Sequence, residues 1–460
     1  MKIKLILAAA KSDPLRKNDP FMPLSLAILA GAAPEHDYIY CDMLWEDNLG
    51  FDEKVDLAGI SSRYTAENTT YEIAAEFKKR GIPVVLGGPQ MSSVPHRAKK
   101  HADAVVVGEA ENLWPVLLKD FQEKKLKNFY VCSPYKFDAR GSTVYQDFLY
   151  PDFKKNILPK RSLFKKKYNF DTLFAVRGCP IDCDFCSVSS IFGKQYRFKP
   201  VDHVIEELKS LKSRYYYLLD DTVLGRPSSY DYYLELYTRI AGEIRPVKFW
   251  TGQANLNAAA DEKGREVIHR AVNAGLLYAA VGIESINPQT LLQSGSIKKM
   301  GINTADHPLE KIQENIRFMQ NLGIIVSGWF VIGYTEDTIE TYKDTWEFCK
   351  NMNILPVIFP VKAMEGTRLY NRLLGEGMID LSARINVINP KIPSAMVFPV
   401  LKKIIKEAYS LIAIIKRTVF YARIYRKQSP REFIEKTIFA FILQIKLRHG
   451  IDLSKDDFYS

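Results

Sequence analysis

The segment that decides the fold is Arg177–Cys186, RGCPIDCDFC, which spaces Cys179, Cys183 and Cys186 as C-x3-C-x2-C. Three thiolates leave one coordination position of a four-ligand metal site open, and an open position is where a small molecule reacts. The spacing also differs from the paired C-x2-C knuckles of zinc sites. The apolar segment 172–176 is predicted to be a strand that ends in this loop. The pattern favours a [4Fe–4S] cluster with one free iron.

Two other interpretations of these cysteines are a zinc site completed by a distant fourth ligand and three ordinary buried thiols. Both are weaker, because buried cysteines do not usually cluster within Gly-Cys-Pro and Asp-Cys-Asp contexts. The other cysteines, Cys41, Cys132 and Cys349, are scattered along the chain and do not outline a disulfide framework. Cysteine usage therefore predicts a reducing, cytoplasmic location.

The composition predicts a globular protein of about two or three domains, since the 460 residues are 47% hydrophobic and 25% charged. The N-terminal apolar run is too short for a signal peptide, and no run approaches the ~18 apolar residues of a membrane span. The formal net charge is +11, and residues 395–449 contribute +9 of it, from twelve Lys or Arg and three Asp or Glu. A basic surface favours anionic partners, although a solvated helix face is the plainer explanation.

Residues 1–125 are predicted to form a doubly wound, parallel α/β domain of the Rossmann type. Short apolar runs alternate with helical patterns there, which is typical of a parallel sheet covered on both faces. Such sheets bind ligands in loops at the carboxyl ends of their strands, near the point where the strand order reverses. Ser61 follows the third predicted strand, and Gly87 and Gly88 follow the fourth. Glycine at this point lets a large flat ligand approach the backbone.

Residues 126–168 are predicted to be a linker, because aromatic residues there are interleaved with Gly, Pro and Asp without a clear period. From 169 to 375, strand and helix patterns alternate again. This alternation predicts a partial (β/α)6 barrel with its site at the carboxyl ends of the strands. Polar residues follow the predicted strands, at Asp220-Asp221, Gln253 and Glu284-Ser285.

Residues 376–460 are predicted to form an α-helical C-terminal region. Two long patterns, 401–426 and 431–448, carry apolar residues at helical spacing with Lys and Arg between them. We expect their apolar faces to pack on the barrel, because tertiary packing is the usual fate of an amphipathic helix. A basic, apolar helix that lies on a membrane surface is the second interpretation.

The cysteine motif, with the aromatic Phe185 before its last cysteine, resembles the signature of the radical S-adenosylmethionine (SAM) enzymes. The resemblance implies that the three cysteines hold the cluster and that SAM chelates the free iron. It also implies reductive cleavage of SAM to a 5′-deoxyadenosyl radical, with an electron donor of flavodoxin or ferredoxin type. The SAM contacts that it implies are Phe185, Asp220, Asp221, Gln253, Glu284, Ser285, Gly328, Ile332 and Gly333.

One of these positions departs from the family pattern. Asp220-Asp221 stands where Gly-Gly-Glu is the common form, although an aspartate at a strand end can still accept from the SAM ammonium.

The segment 55–109 is similar to the cobalamin-binding domain that precedes many radical SAM cores. This likeness implies a cobalamin site at Ser61, Gly87 and Gly88. The chain lacks the D-x-H-x-x-G loop that gives some cobalamin proteins a lower histidine ligand. A domain that binds no cofactor is the alternative, since a lone glycine motif is a weak signal.

The order of the three regions resembles cobalamin-dependent radical SAM enzymes, in particular the group of the hopanoid and bacteriochlorophyll methylases. The resemblance implies methyl transfer to an unactivated carbon of a large apolar substrate, lipid-like or tetrapyrrole-like. One alternative is a radical SAM enzyme that forms a ring, joins carbons or rearranges a skeleton without methyl transfer. Another is an iron–sulfur regulator that binds nucleic acid; we expect no nucleic-acid partner, because the basic excess lies in apolar helices. Peripheral membrane contact through the C-terminal helices stays open.

Overall fold

A computed structural model of the protein divides the chain into two compact units. The first comprises residues 1–172 and 187–195, and the second comprises residues 173–186 and 196–459. Each unit is built on a six-stranded sheet. The structure describes all residues except 14, 133–134, 138–142, 146–152, 165, 167, 302–307, 383–384 and 451–460.

The sheet of the first unit has the strands β1 (Lys2–Ala8), β2 (Asp37–Asp42), β3 (Leu57–Ser62), β4 (Val84–Gly87), β5 (Ala104–Gly108) and β6 (Phe129–Cys132). Their order is β2-β1-β3-β4-β5-β6, and every neighbouring pair is parallel. The direction of winding reverses between β1 and β3, which is the switch point of a doubly wound sheet.

Apolar cores cover both faces of this sheet. Along β1, Leu5 enters one core with Trp114, while Ile6 enters the other with Phe77. A strand buried on both faces is typical of a parallel sheet between two helical layers, so the predicted doubly wound class is confirmed. The helices are α1 (Leu24–Ala32), α2 (Glu67–Lys79), α3 (Pro89–Ser93), α4 (Pro95–Lys99) and α5 (Leu113–Gln122).

The sixth strand, β6, lies within the segment that the sequence analysis assigns to a linker. Tyr130 and Cys132 are buried while Val131 between them is exposed, so β6 has the alternation of a half-covered edge strand. Four residues are too few for this period to be recognised among the aromatic residues of the segment. A short antiparallel hairpin follows, made of β7 (Tyr135–Phe137) and β8 (Thr143–Tyr145).

The second unit carries the predicted barrel strands. They are β9 (Asp171–Leu173), β12 (Tyr215–Leu218), β13 (Phe249–Ala254), β14 (Leu276–Glu284), β15 (Ile325–Ile332) and β16 (Leu355–Pro360), and a separate antiparallel pair is formed by β10 (Val176–Arg177) and β11 (Arg197–Phe198). The sheet order is β16-β15-β14-β13-β12-β9, and β12 to β16 run parallel. The predicted α/β class with a six-stranded core is therefore confirmed.

Helices alternate with these strands. One of them, α9, begins where the Asp261 carboxylate accepts from the Gly264 N–H at 2.8 Å, a side-chain cap that the sequence Asp-Glu-Lys-Gly provides. The helices are α6 (Val188–Phe192, in the first unit), α7 (Val201–Ser210), α8 (Tyr230–Glu243), α9 (Glu262–Asn273), α10 (Pro288–Gln293), α11 (Pro308–Asn321), α12 (Ile339–Asn351) and α13 (Arg368–Gly375).

Three C-terminal helices belong to the second unit: α14 (Ser394–Ala408), α15 (Leu411–Tyr425) and α16 (Pro430–Gly450). Tyr421 and Tyr425 are fully buried in the core of the barrel. The Tyr421 hydroxyl accepts from the Val326 N–H at 3.0 Å, and the Tyr425 hydroxyl donates to the Gly323 carbonyl at 3.0 Å. Packing of these helices on the barrel is confirmed for one of their faces. None of the described helices combines the length and the apolar character needed to cross a bilayer.

Candidate active site

The three cysteines of the motif lie on one loop directly after β10. Cys183 is buried, and Cys179 and Cys186 are half-buried. The backbone is left-handed at Gly178 (φ 88°) and at Asp182 (φ 58°), on either side of the Cys-Pro-Ile segment. Left-handed residues let a chain turn sharply, and here they fold the loop so that all its thiols belong to one short turn.

One cation acts on all three thiols. Burial raises the pKa of the Cys179 thiol and raises that of Cys183 to about 11, and the Lys299 ammonium opposes both shifts. Although burial alone would lower the pKa of Lys299, the Glu284 carboxylate and the charges of Cys183 and Cys186 raise it. Lys299 therefore lies near enough to each of the three thiols for its charge to act on them. A nearby cation favours the thiolate, which is the form that binds iron.

The donor set fits an iron–sulfur cluster. Among the described residues, no three His, Cys, Asp or Glu side chains are grouped tightly enough to share one metal ion. A [4Fe–4S] cluster binds each cysteine through a different iron, so its thiolates are spaced more widely than the ligands of a single zinc. Three thiols on one loop beside a cation provide the three cysteine ligands that such a cluster needs.

Side chains from the loop after β15 and from α13 hold the cysteine loop in place. The Asp184 carboxylate accepts from the Tyr334 hydroxyl at 2.5 Å and from Arg372 at 3.2 Å. Arg368 donates to the Asp182 carbonyl and lies 3.3 Å from the Asp182 carboxylate. The ring of Phe185 packs edge-on against Tyr334, at 6.4 Å between centroids. These contacts fix the residues on both sides of Cys183. Tyr334, Arg368 and Arg372 were not predicted as site residues, because no local motif marks them in the sequence.

Asp220, which the resemblance assigns to the SAM ammonium, is fully buried. Its Oδ1 accepts from the backbone N–H groups of Ala175 at 2.7 Å and Val176 at 3.0 Å, and Tyr233 donates to Oδ2 at 3.0 Å. This geometry favours a structural role, because the carboxylate ties the end of β12 to the strand that leads into the cysteine loop. Asp221 is half-buried and lies close to Cys179. Burial is the main cause that raises the pKa of the Cys179 thiol, and the charge of Asp221 raises it further.

Glu284 and Ser285 lie together at the end of β14. Glu284 is buried, sits at a register shift and has a left-handed backbone (φ 66°), a conformation that costs a non-glycine residue about 1–3 kcal/mol. Its carboxylate forms an ion pair with Lys299, whose ammonium also lies 5.9 Å from the centre of the Phe185 ring. The Ser285 hydroxyl accepts from the Asn287 N–H at 3.0 Å. Lys299 was missed because Lys298-Lys299 looks like ordinary surface charge in the sequence.

The predicted residues of β15 are packed into the protein. A Cβ added at Gly328 would come within 2.8 Å of Phe330, and one at Gly333 within 2.7 Å of Val361. The Ile332 side chain is fully buried in the apolar core, so only its backbone is left for a cofactor. Contact of these residues with SAM stays a prediction.

Unpaired polar groups collect on and just after β12 and β13. Gln253 is exposed there, as a ligand-facing residue would be. Thr222 Oγ1, Thr251 Oγ1 and Asn255 Nδ2 are buried and have no hydrogen-bond partner within the described ranges. Because buried polar groups normally have partners, this region fits a polar ligand such as SAM.

In the first unit, the three predicted cobalamin contacts come together at the carboxyl ends of β3 and β4. Ser61 stands opposite Gly87 in the parallel register. Gly88 is left-handed (φ 90°), and an added Cβ would lie 2.7 Å from Ser61 Oγ and 2.8 Å from the Ser62 nitrogen. A Cβ at Gly87 would meet nothing closer than 3.7 Å. A side chain at 88 would therefore distort this loop locally, while position 87 has room for a small side chain.

A charged network missed by the sequence analysis joins the loops after β1 and β3. Arg63 lies 3.3 Å from the Asp13 carboxylate and 3.8 Å from that of Asp19. Burial raises the pKa of Asp19 to about 6. This network fixes the loop that borders Ser61 at the switch point.

A parallel α/β unit with three thiols on the loop after its first strands, and with polar residues at the following strand ends, fits the class of enzymes that hold an iron–sulfur cluster at the carboxyl edge of a sheet. Residues 173–349 match the Radical SAM superfamily. This part of the chain is a radical SAM domain, and the cofactors of that superfamily are a [4Fe–4S] cluster and SAM.

The chain is similar along most of its length to known methyltransferases. It is 27% identical over 436 residues to bacteriochlorophyllide d C-8(2)-methyltransferase of Chlorobaculum tepidum, covering 88% of this chain and 89% of that protein. It is 24% identical to hopanoid C-2 methylase of Rhodopseudomonas palustris, over 81% of this chain and 67% of that protein.

Among solved structures, the cobalamin-dependent SAM radical enzyme OxsB with aqua-cobalamin bound has the same fold. The TM-score is 0.60 at 16% identity. The likeness covers 82% of this chain, which spans 55% of the OxsB chain, or about half its length.

Proposed function

We propose that the protein is a cobalamin-dependent radical SAM methyltransferase that methylates an unactivated carbon of a large apolar molecule, a lipid or a tetrapyrrole. The observation that carries the proposal is the extent of the likeness to the bacteriochlorophyllide methyltransferase. That likeness covers 88% of this chain, whereas the first unit alone holds more than a third of the chain. The likeness therefore extends into both units.

The residues of the second unit have separable roles in this proposal. Cys179, Cys183 and Cys186 hold the cluster, and the Lys299 ammonium, kept charged by Glu284, offers a partner for the SAM carboxylate. The bound cofactors supply the electron, the radical and the methyl group, and the protein supplies their alignment and the exclusion of water. A flavodoxin or ferredoxin is the reductant that we propose.

The face of the second sheet that is opposite its helix-covered core carries aromatic residues that suit an apolar substrate. Tyr216 and Phe330 point to the helix-covered core, and strand residues alternate, so Tyr217 and Trp329 lie on the opposite face. Trp329 packs against Phe359 at 5.7 Å between ring centroids, and Phe359 is 39% exposed. Aromatic rings with a polar edge provide flat apolar contact area for a ring system or an isoprenoid chain.

The two glycines of the first unit provide the test. Anaerobic reconstitution with iron, sulfide and hydroxocobalamin, followed by desalting, measures the cobalamin retained per chain by absorbance. We expect near-stoichiometric retention in the natural protein and in G87A, and at least a ~10-fold loss in G88V, whose side chain would clash with Ser61 and Ser62. Absence of retention beside an intact cluster would contradict the proposal and favour radical chemistry without methyl transfer.

A further inference from the structure

The outer face of the last two helices is apolar and open to solvent. Ile412, Ile415 and Val419 of α15 and Ile434, Ile438 and Phe441 of α16 are between 40% and 69% exposed. Such a set on two neighbouring helices is a patch rather than scattered single residues, and patches of this kind mark interaction sites.

The two helices form an antiparallel pair, which puts their apolar stripes side by side. Arg417 donates to Gln444 at 2.8 Å, and Arg448 donates to the Tyr409 carbonyl at 3.4 Å, so the start of α15 lies beside the end of α16. On each helix the exposed apolar residues recur every three or four positions. This spacing places them on one side, opposite the residues buried in the core.

The α16 helix is apolar on both of its sides. Its inner side packs Phe439 against the ring of Tyr215, at 5.7 Å between centroids, and buries Ala440. Its outer side presents Ile438 and Phe441 to water. Because only the inner side of α16 packs on the core, the apolar residues of its outer side are open to a covering partner.

Charge identifies the partner. Residues 411–448 contain nine Lys or Arg and two Asp or Glu, and one of these acids, Glu435, already pairs with Arg214 at 2.9 Å. Lys416, Arg423 and Lys446 are exposed, and no ion pair within the described part of the chain engages them. A second copy of this face would oppose like charges, whereas a phospholipid surface with anionic headgroups offers both apolar and negative contact.

We propose that the exposed face of the α15–α16 pair docks on the surface of an anionic phospholipid bilayer. Both helices would lie in the headgroup region, with Ile412, Ile438 and Phe441 towards the acyl chains. This inference goes beyond the proposed methyl transfer, because docking needs neither the cluster nor cobalamin. Together with a lipid or tetrapyrrole substrate, it would let the enzyme meet an apolar substrate at the membrane.

Sedimentation of the full chain with vesicles tests the proposal. We expect binding to vesicles of phosphatidylglycerol and phosphatidylcholine, weakened by salt, and little binding to phosphatidylcholine alone. The triple variant K416Q/R423Q/K446Q should bind roughly 100-fold more weakly, at about 1 kcal/mol for each charge. The matched triple K79Q/K119Q/K125Q, in the first unit, should bind as the natural protein does. I438S/F441S should also bind weakly. L381S changes an exposed apolar residue outside the helix pair and should bind as the natural protein does.

Four results would overturn it. The first two are equal binding to neutral and anionic vesicles, and binding by K416Q/R423Q/K446Q that equals that of the natural protein. The third is a protein that does not bind vesicles but forms a stable dimer, which I438D disrupts. The fourth is binding to vesicles only after residues 451–460 are removed. The third result would assign the face to a second copy, and the fourth to the chain's own acidic tail. Cleavage of SAM is measured on the same preparations, so that failure of docking and failure of the proposed function are distinguished.

Discussion

Asp220 accepts two backbone hydrogen bonds from the strand that leads into the cysteine loop, so its removal should destabilise that strand. D220A would leave the N–H groups of Ala175 and Val176 without an acceptor in a buried place. We expect a loss of about 2–5 kcal/mol in the free energy of unfolding, since each unsatisfied buried group costs about 1–3 kcal/mol. D220N keeps an acceptor oxygen and should retain most of the stability, as anaerobic denaturant titration would measure. Equal losses in both variants would contradict this role.

The same carboxyl group gives a pH dependence. Burial, although opposed by hydrogen bonds from Val176 and Ala175, raises the pKa of Asp220 from 3.8 to about 7. The folded state therefore keeps this proton to a higher pH than the unfolded state, and the stability it contributes is lost as pH rises from about 4 through 7. Relative to D220N, the natural protein should lose at most about 4 kcal/mol over this window. A difference independent of pH would rule out the raised pKa.

Lys299 offers the sharpest test of the SAM-binding part of the site. The ammonium is paired with Glu284 beside the three thiols, so K299Q removes the cation next to the place where the SAM carboxylate would bind. We expect SAM affinity, measured per assembled cluster, to fall about 10- to 100-fold, the range of a hydrogen bond to a charged group. The exposed neighbour Lys298 provides the control K298Q. Equilibrium dialysis with labelled SAM measures both, and equal affinities would remove Lys299 from the site.

Among the elements, α13 has a role that its sequence does not suggest. Arg372 on this helix reaches Asp184 in the cysteine loop, 188 positions earlier in the chain. R372A should destabilise the loop by about 2 kcal/mol and speed the loss of iron to a chelator, because a buried carboxylate loses its charged partner. L374A, an exposed residue of the same helix, is the control. Equal iron loss in the two variants would show that α13 does not anchor the loop.

An element or site residue could be predicted from the sequence where a local pattern marks it, and not where it depends on contacts between residues that are distant along the chain. The parallel strands were predictable because each is a short apolar run followed by a helical pattern. The strand β6 and the pair β10–β11 were not, because two to four residues carry too little periodicity. The cysteines were identified from one local motif, whereas Tyr334, Arg372 and Lys299 join the site only through tertiary contacts.

At the scale of the whole molecule, the chain divides near residue 172, and the C-terminal helices share the core of the second unit. The finer limits at 125, 168 and 375 remain a proposal. One face of the last two helices packs on the barrel as expected, whereas the other face is exposed and its contact with a membrane stays a proposal.

Labelled SAM shows whether this protein transfers a methyl group to its substrate. The reduced, reconstituted protein with cobalamin would be incubated with SAM carrying a trideuterated methyl group and with a panel of tetrapyrroles and isoprenoid lipids. We predict that mass spectrometry finds a product with a trideuterated methyl group, formed only when cobalamin is present. A substrate that is converted with cleavage of SAM into a product without the label would contradict the account.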